Sequence, residues 1–188
     1  MENVEDLRAA LPDEARDVKL NLQSVLQPGG SLSDAQRWGV AIAAAITARR
    51  PELRDALLAD ARASGVGEPT LEDARAAAVL MAMNNVYYRF RHQIGKPAYA
   101  RKPARLRMTR MAKPAAEKLD FELFSLAVSA LNGCEACVRA HEAAVLEGGL
   151  SDEVVHDAVR VAAVVQSAAL ALELGGRAAA GGQDGAAF

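Results

Sequence analysis

Apolar residues recur along the chain at helical spacing, and glycine and proline cut that pattern into segments. A first helix is predicted over roughly Leu11–Leu26, with Leu20, Leu22 and Leu26 as its apolar positions and Pro28-Gly29-Gly30 as its stop. Ser33 is placed to cap a second helix carrying Trp38, Val40, Ile42 and Ile46. Pro51 opens a third, with Leu53, Leu57 and Leu58 as its stripe and Gly65-Val-Gly67 at its end. Thr70 with Asp73 three residues on resembles a capping box, ahead of a long helix through Val79, Leu80, Met83 and Val86 to about Arg91. After Pro114 the pattern resumes with Phe121, Phe124, Leu126, Val128 and Leu131 and breaks at Asn132-Gly133. A further helix runs from near Cys134 to Gly148-Gly149. Ser151 opens the last, through Val155, Val159, Ala162 and Val165 to Leu174-Gly175. The period-2 alternation of strands is absent, so the fold class is all-α.

Composition supports that reading. Aromatics are only 4% of residues while alanine is abundant, and small side chains suit close packing of helix on helix. Residues 89–113 stand apart, with nine Lys or Arg, no Asp or Glu, and Pro97 and Pro103 among them. They read as a solvated loop with a short helix near Leu106–Met111, or as a docking surface for an acidic partner. Residues 1–174 form one domain, and the Gly/Ala-rich stretch 175–188 reads as a mobile tail. The domain itself looks like a degenerate duplication, with halves over roughly 11–93 and 114–174. Laying Trp38 on Phe124 puts Ala48, Pro51 and Asp55 opposite Cys134, Cys137 and His141. In that register only the second half is equipped for chemistry.

Net charge is −2, so no global field draws nucleic acid. The acidic start Met1-Glu-Asn-Val-Glu-Asp lacks the basic and apolar regions of a secretory signal. Charges interrupt the apolar stretches before the roughly 18 residues that a membrane span needs. The expectation is a cytoplasmic protein with no membrane partner.

Two cysteines in a reducing compartment are more often redox-active or metal-binding than structural. Cys134 and Cys137 lie about one helical turn apart, and His141 is four residues beyond Cys137, so all three share a face. An imidazole there can accept the thiol proton, and a helix start favours a thiolate. The helix dipole alone favours Cys134; proximity to His141 favours Cys137. Glu122 is a polar residue in an apolar run, and a chain reversal at Asn132-Gly133 would bring it level with the region of His141, completing a Glu–His–Cys relay. Its plain alternative is a solvated first-turn residue. Zinc is the rival for the cysteines, with His141 as third ligand and Glu122 or His156 as fourth. His92, His156, Trp38 and the Met81/Met83 pair read as surface or packing residues.

Glu122-x11-Cys134-x-x-Cys137-x3-His141, set in Phe-Glu-Leu-Phe-Ser-Leu-Ala-Val-Ser-Ala-Leu-Asn-Gly-Cys, resembles the alkyl hydroperoxide reductase D (AhpD) proteins of the carboxymuconolactone decarboxylase-like superfamily. Leu11-Pro-Asp-Glu-Ala-Arg-Asp-Val, Gln36-Arg-Trp-Gly and Met83-Asn-Asn-Val-Tyr-Tyr-Arg extend the resemblance over nearly the whole chain. It implies an AhpD-like helical fold and a homotrimer. The implied activity is a weak alkyl hydroperoxide peroxidase that also reduces a peroxiredoxin (AhpC-type) partner. Electrons would come from dihydrolipoamide on the lipoyl domain of a dihydrolipoamide acyltransferase, with no cofactor or metal bound beyond the Cys134–Cys137 disulfide. By the same resemblance Cys137 becomes the sulfenic acid, Cys134 resolves it, and Glu122 and His141 relay protons. One departure stands out: the family pattern has a histidine immediately before the second cysteine, where this chain has Ala136. The rival readings are a lactone decarboxylase that does not need both thiols, a zinc-stabilised helical binding module, and a non-catalytic assembly protein.

Overall fold

The computed structural model describes residues 1–180, and its regular structure is helical, with no strand among the described residues. The α-helices are α1 (Glu2–Ala9), α2 (Arg16–Leu26), α3 (Asp34–Thr47), α4 (Pro51–Ala63), α5 (Glu68–Ile94), α6 (Pro97–Ala100), α7 (Thr109–Ala112), α8 (Lys118–Leu131), α9 (Glu135–Glu147) and α10 (Asp152–Ala180). The all-α expectation holds. Ser33 caps α3 in a full capping box, its hydroxyl accepting from the Gln36 amide while the Gln36 side chain accepts from the Ser33 amide.

Several local expectations need correction. The N-terminal segment forms α1, docked through Val4, and α2 begins only at Arg16. Leu22 and Leu26, four apart, are buried, whereas Leu20 lies two residues off that face and is exposed. Along α5 the buried stripe is Leu71, Ala74, Ala77, Ala78 and Met81, while Val79 and Val86 face outward. Thr70 is inside α5 rather than at its cap, because α5 already starts at Glu68 with Pro69 in its first turn, where the missing N–H costs nothing. Asp73 turns inward instead. Residues 89–94 continue α5, and the rest of the basic stretch is irregular apart from α6 and α7.

α3 and α8 cross at the centre of the core. An added Cβ on Gly39 would stand 2.1 Å from the Phe124 ring, so only glycine lets the two backbones approach this closely. Around this crossing pack Leu53 and Leu57 from α4, Leu71 and Met81 from α5, and Ala158, Val161, Ala162 and Val165 from α10.

The succession α3–α4–α5 recurs as α8–α9–α10. Asp34 pairs with Lys118, Pro51 with Glu135 and Glu68 with Asp152, each 84 residues from its counterpart. The left-handed residues Arg49 and Gly133 match in the same register, as do Gly65 and Gly149. This shifts the sequence-based alignment by two residues: Trp38 corresponds to Glu122, not to Phe124. The counterparts of Cys134, Cys137 and His141 become Arg50, Leu53 and Leu57. Alanine-rich helices tolerate many shifts, and the helix boundaries discriminate where side-chain size did not.

α10 also overturns the expectation about apolar length. Asp152–Gly175 is long and apolar enough to cross a membrane by length and composition alone. Part of that length is core, because Ala158, Val161, Ala162, Val165 and Ala168 are buried against the other helices. The helix runs past Gly175 to Ala180, and the rest of the expected tail, 181–188, lies outside the described residues.

Candidate active site

Asn132-Gly133 closes α8 and reverses the chain into α9. Gly133 takes a left-handed conformation, with φ 65°, and the Cys134 amide donates back to the Ser129 carbonyl at 3.1 Å. Cys134 is thereby the N-cap of α9, and Cys137 sits in its first turn. The two sulfurs are joined by a disulfide. Both lie where unpaired helix N–H groups favour negative charge, so a thiolate released by reduction has a stabilising environment.

The antiparallel α8–α9 hairpin does what the sequence spacing requires of it. Glu122, near the start of α8, meets His141, midway along α9, with Oε2 and Nδ1 2.6 Å apart. Both side chains are buried. The carboxylate fixes the ring orientation and, through Nδ1–H, leaves Nε2 as the nitrogen free to exchange a proton. The solvated alternative for Glu122 does not hold. His141 is one helical turn from Cys137 on the same face.

The disulfide has two unlike sides. Cys134 is fully buried, while Cys137 and His141 form part of the wall of a chamber of about 280 Å3. Ala136 and Ala140 complete the α9 wall, and Met81, Asn84 and Tyr88 supply that of α5. Met108 and Met111, from the basic segment, close the third side. The Asn84 amide nitrogen lies 3.2 Å from the Met108 sulfur and 3.8 Å from that of Met111. Met81, expected only as packing, serves both core and chamber.

Sequence reasoning missed the polar groups that brace this arrangement. Asn85 accepts from the Asn132 side chain at 2.9 Å and donates to Ser129 Oγ at 2.9 Å, and the Arg89 guanidinium donates to the Asn132 carbonyl. The turn before Cys134 is thus tied to α5. Asp73, also buried, accepts from Arg110 Nε (3.0 Å) and Nη2 (2.8 Å) and from the amides of Ala115 (2.9 Å) and Ala116 (2.7 Å). The one available signal was an Asn-Asn pair and an Asp on the inward face of an apolar helix.

Among the described residues no group of three or more His, Cys, Asp or Glu side chains is placed to hold a metal ion. His156, considered as a fourth zinc ligand, is exposed on α10 beside Asp157. His92 is not without a partner; its Nε2 lies 3.3 Å from Glu135.

The family model described as "Carboxymuconolactone decarboxylase family" matches residues 97–174. The chain is 66% identical over 180 residues to a protein of Anaeromyxobacter dehalogenans (strain 2CP-C) named alkyl hydroperoxide reductase AhpD, covering 96% of each chain. A protein of the same name from Rhodospirillum centenum is 48% identical over 183 residues, 97% of this chain and 96% of that one. The one from Brucella abortus (strain 2308) is 44% identical over 171 residues, 91% of this chain and 97% of its own length.

Proposed function

This chain belongs to the AhpD-like carboxymuconolactone decarboxylase superfamily, and on that premise we propose that it is an alkyl hydroperoxide reductase cycling Cys134 and Cys137 between dithiol and disulfide. The observation that carries the reading is the buried Glu122–His141 pair one turn from Cys137, the cysteine that borders the chamber.

In the reduced enzyme His141, held by Glu122, takes the Cys137 thiol proton. The thiolate attacks the distal peroxide oxygen, the O–O bond breaks, and the alkoxide leaves as alcohol with the proton that His141 returns. Cys137 is now a sulfenic acid. The Cys134 sulfur attacks Cys137 Sγ, the S–O bond breaks, and water leaves as the disulfide forms. Two electrons and two protons from an external dithiol restore the starting state.

That dithiol is proposed to be dihydrolipoamide on the lipoyl domain of a dihydrolipoamide acyltransferase, with an AhpC-type peroxiredoxin as the protein oxidant. Exposed Arg101, Lys102, Arg105 and Arg107 border the Met108 wall and suit an acidic partner. A homotrimer accords with Val79, Val86 and Phe90, which leave an apolar stripe exposed along α5. The proposed location is the cytoplasm. Lactone decarboxylation finds less support: the chamber presents no Lys or Arg to a substrate carboxylate.

The test is dihydrolipoamide-dependent reduction of an alkyl hydroperoxide, with thiols titrated before and after peroxide. Loss of two thiols per chain, recovered by dihydrolipoamide, is the expected result. Turnover that persists in both Cys134→Ser and Cys137→Ser defeats the proposal.

A further inference from the structure

The repeat makes the chamber informative. In the first half the counterparts of Cys137 and His141 are Leu53 and Leu57, both fully buried, and the counterpart of Ala140 is Ala56. There the matching stretch is α2, a continuous helix that packs on α10 and drives Leu22 and Leu26 into the core, while α1 packs on α4. The corresponding stretch of the second half is the irregular basic segment, which lays Met108 and Met111 across the space without filling it. The first half fills the positions of Cys137 and His141 with buried leucines, and the second leaves an opening beside the reactive cysteine.

We infer that this opening is a selectivity subsite that seats the apolar body of the hydroperoxide, and that Asp73 positions its outer wall. The inference rests on the proposed alkyl hydroperoxide reductase reading and deepens it, by assigning the wall that selects the organic body and the residue that holds that wall in place. Alanine and methionine make up most of the lining, so an apolar body gains burial there while hydrogen peroxide, which has none, gains nothing. A volume of about 280 Å3 exceeds the roughly 150 Å3 cavity that accepts benzene in other proteins, so an aryl-alkyl or medium-chain body fits. Ala136 is the residue of this wall immediately before Cys137, and its single methyl leaves room for such a body next to the sulfur. Methionine adapts to different body shapes.

The outer wall holds its place through Asp73. This carboxylate, 1% exposed, takes four hydrogen bonds from Arg110, Ala115 and Ala116, on either side of Met111. The repeat contains a matching clasp: Asp157 accepts from the amide and hydroxyl of Ser31, the counterpart of Ala115. In both halves a carboxylate of the long helix, fully buried at Asp73 and partly exposed at Asp157, accepts from the backbone of the matching segment and sets where that segment lies. In the second half that placement sets the chamber's width, so Asp73 acts as a positioning residue.

The experiment measures kcat/KM for cumene hydroperoxide and hydrogen peroxide with dithiothreitol as reductant, so that only the peroxide varies. Wild type is expected to favour cumene hydroperoxide. Ala136→Phe fills the chamber and lowers the cumene-to-hydrogen-peroxide ratio by about tenfold or more. Met108→Ala, at a half-buried position that keeps the fold should Ala136→Phe not, shifts preference toward bulkier hydroperoxides. Asp73→Asn raises KM for cumene hydroperoxide more than for hydrogen peroxide, a split that general loss of stability would not give. Leu20→Phe, the same bulk on an exposed face, leaves the ratio at the wild-type value. A ratio unmoved by Ala136→Phe and Met108→Ala overturns the subsite while leaving the peroxidase reading intact. Reduction of neither peroxide by wild type overturns the peroxidase reading itself.

Discussion

The two halves of this protein run through the same three helices and put opposite kinds of side chain at matching points. In the first, Trp38, Leu53 and Leu57 are packed into the core. In the second, their counterparts are Glu122, Cys137 and His141, and the first and last of these form a 2.6 Å contact. A position that can hide a tryptophan is nearly dry, and that is the property a relay needs. In such surroundings an ion pair or hydrogen bond is stronger than in water, and an unpaired polar group is costly. Glu122 and His141 satisfy one another, so the second half keeps polar chemistry where the first half keeps apolar packing. The comparison says that the site was not added to the surface of a scaffold. It occupies core positions of one repeat.

The sharpest way to break this comparison is at the sulfurs. Cys137→Ser removes the atom that would attack peroxide and should lower peroxide-dependent turnover by roughly 10^3-fold or more. Cys134→Ser should leave a sulfenic acid on Cys137 that a carbon nucleophile traps and mass spectrometry locates. If the trapped sulfur is Cys134 in the reciprocal variant and no adduct forms on Cys137, the two roles are reversed. Next in size are the relay residues. His141→Gln should reduce turnover by about 10^2-fold or more, within the range for loss of a general base, and Glu122→Gln by less, because the amide still contacts the ring. Turnover by His141→Gln equal to wild type at every pH between 6 and 8 removes the relay from the mechanism.

How much of this was legible in the sequence follows from how local each feature is. Cys134, Cys137 and His141 lie within eight residues on one helix, so helical geometry alone puts them on a face. Glu122 needed one further step, the reversal at Asn132-Gly133, and that turn has a strong local signal. The clasp at Asp73 and the brace from Asn85 and Arg89 were not legible, because each joins segments more than 35 residues apart. The chamber was not legible either. Its third wall comes from a segment whose charge suggested only solvent, and two methionines among nine cations carry no periodicity. Val79 and Val86 misled in the other direction: hydropathy marks a residue as apolar but does not say which surface it faces.

A third prediction concerns the crossing that holds the halves together. Gly39→Ala places a methyl where Phe124 already sits, 2.1 Å from the nearest ring carbon. Ring and helices must shift, and overpacking of this kind costs about 1–3 kcal/mol. Denaturant unfolding should show a lower midpoint with an unchanged slope. The α8–α9 hairpin carries Phe124, so peroxidase activity should fall along with stability in this variant. A stability equal to wild type would mean that the crossing is looser than described.

The smallest effect separates the two clasps by pH. The Ser31 hydrogen bonds, against the opposing effect of burial and with help from Arg160, hold the Asp157 carboxyl below its usual range. A carboxylate whose folded pKa is depressed stabilises the fold above its unfolded pKa, near 3.9. That contribution is lost as pH falls through the lower, folded value. Asp157→Asn should therefore cost about 1 kcal/mol near neutrality, the size of a hydrogen bond to a partly solvated charge. The difference from wild type should shrink on acidification and vanish once Asp157 is protonated in both states. Because the Asp157 clasp serves the half without the Glu122–His141 pair, the variant should keep its selectivity among peroxides, in contrast to Asp73→Asn. If Asp157→Asn changes that selectivity as strongly, the clasps are not independent, and the covering segments of the two halves move together.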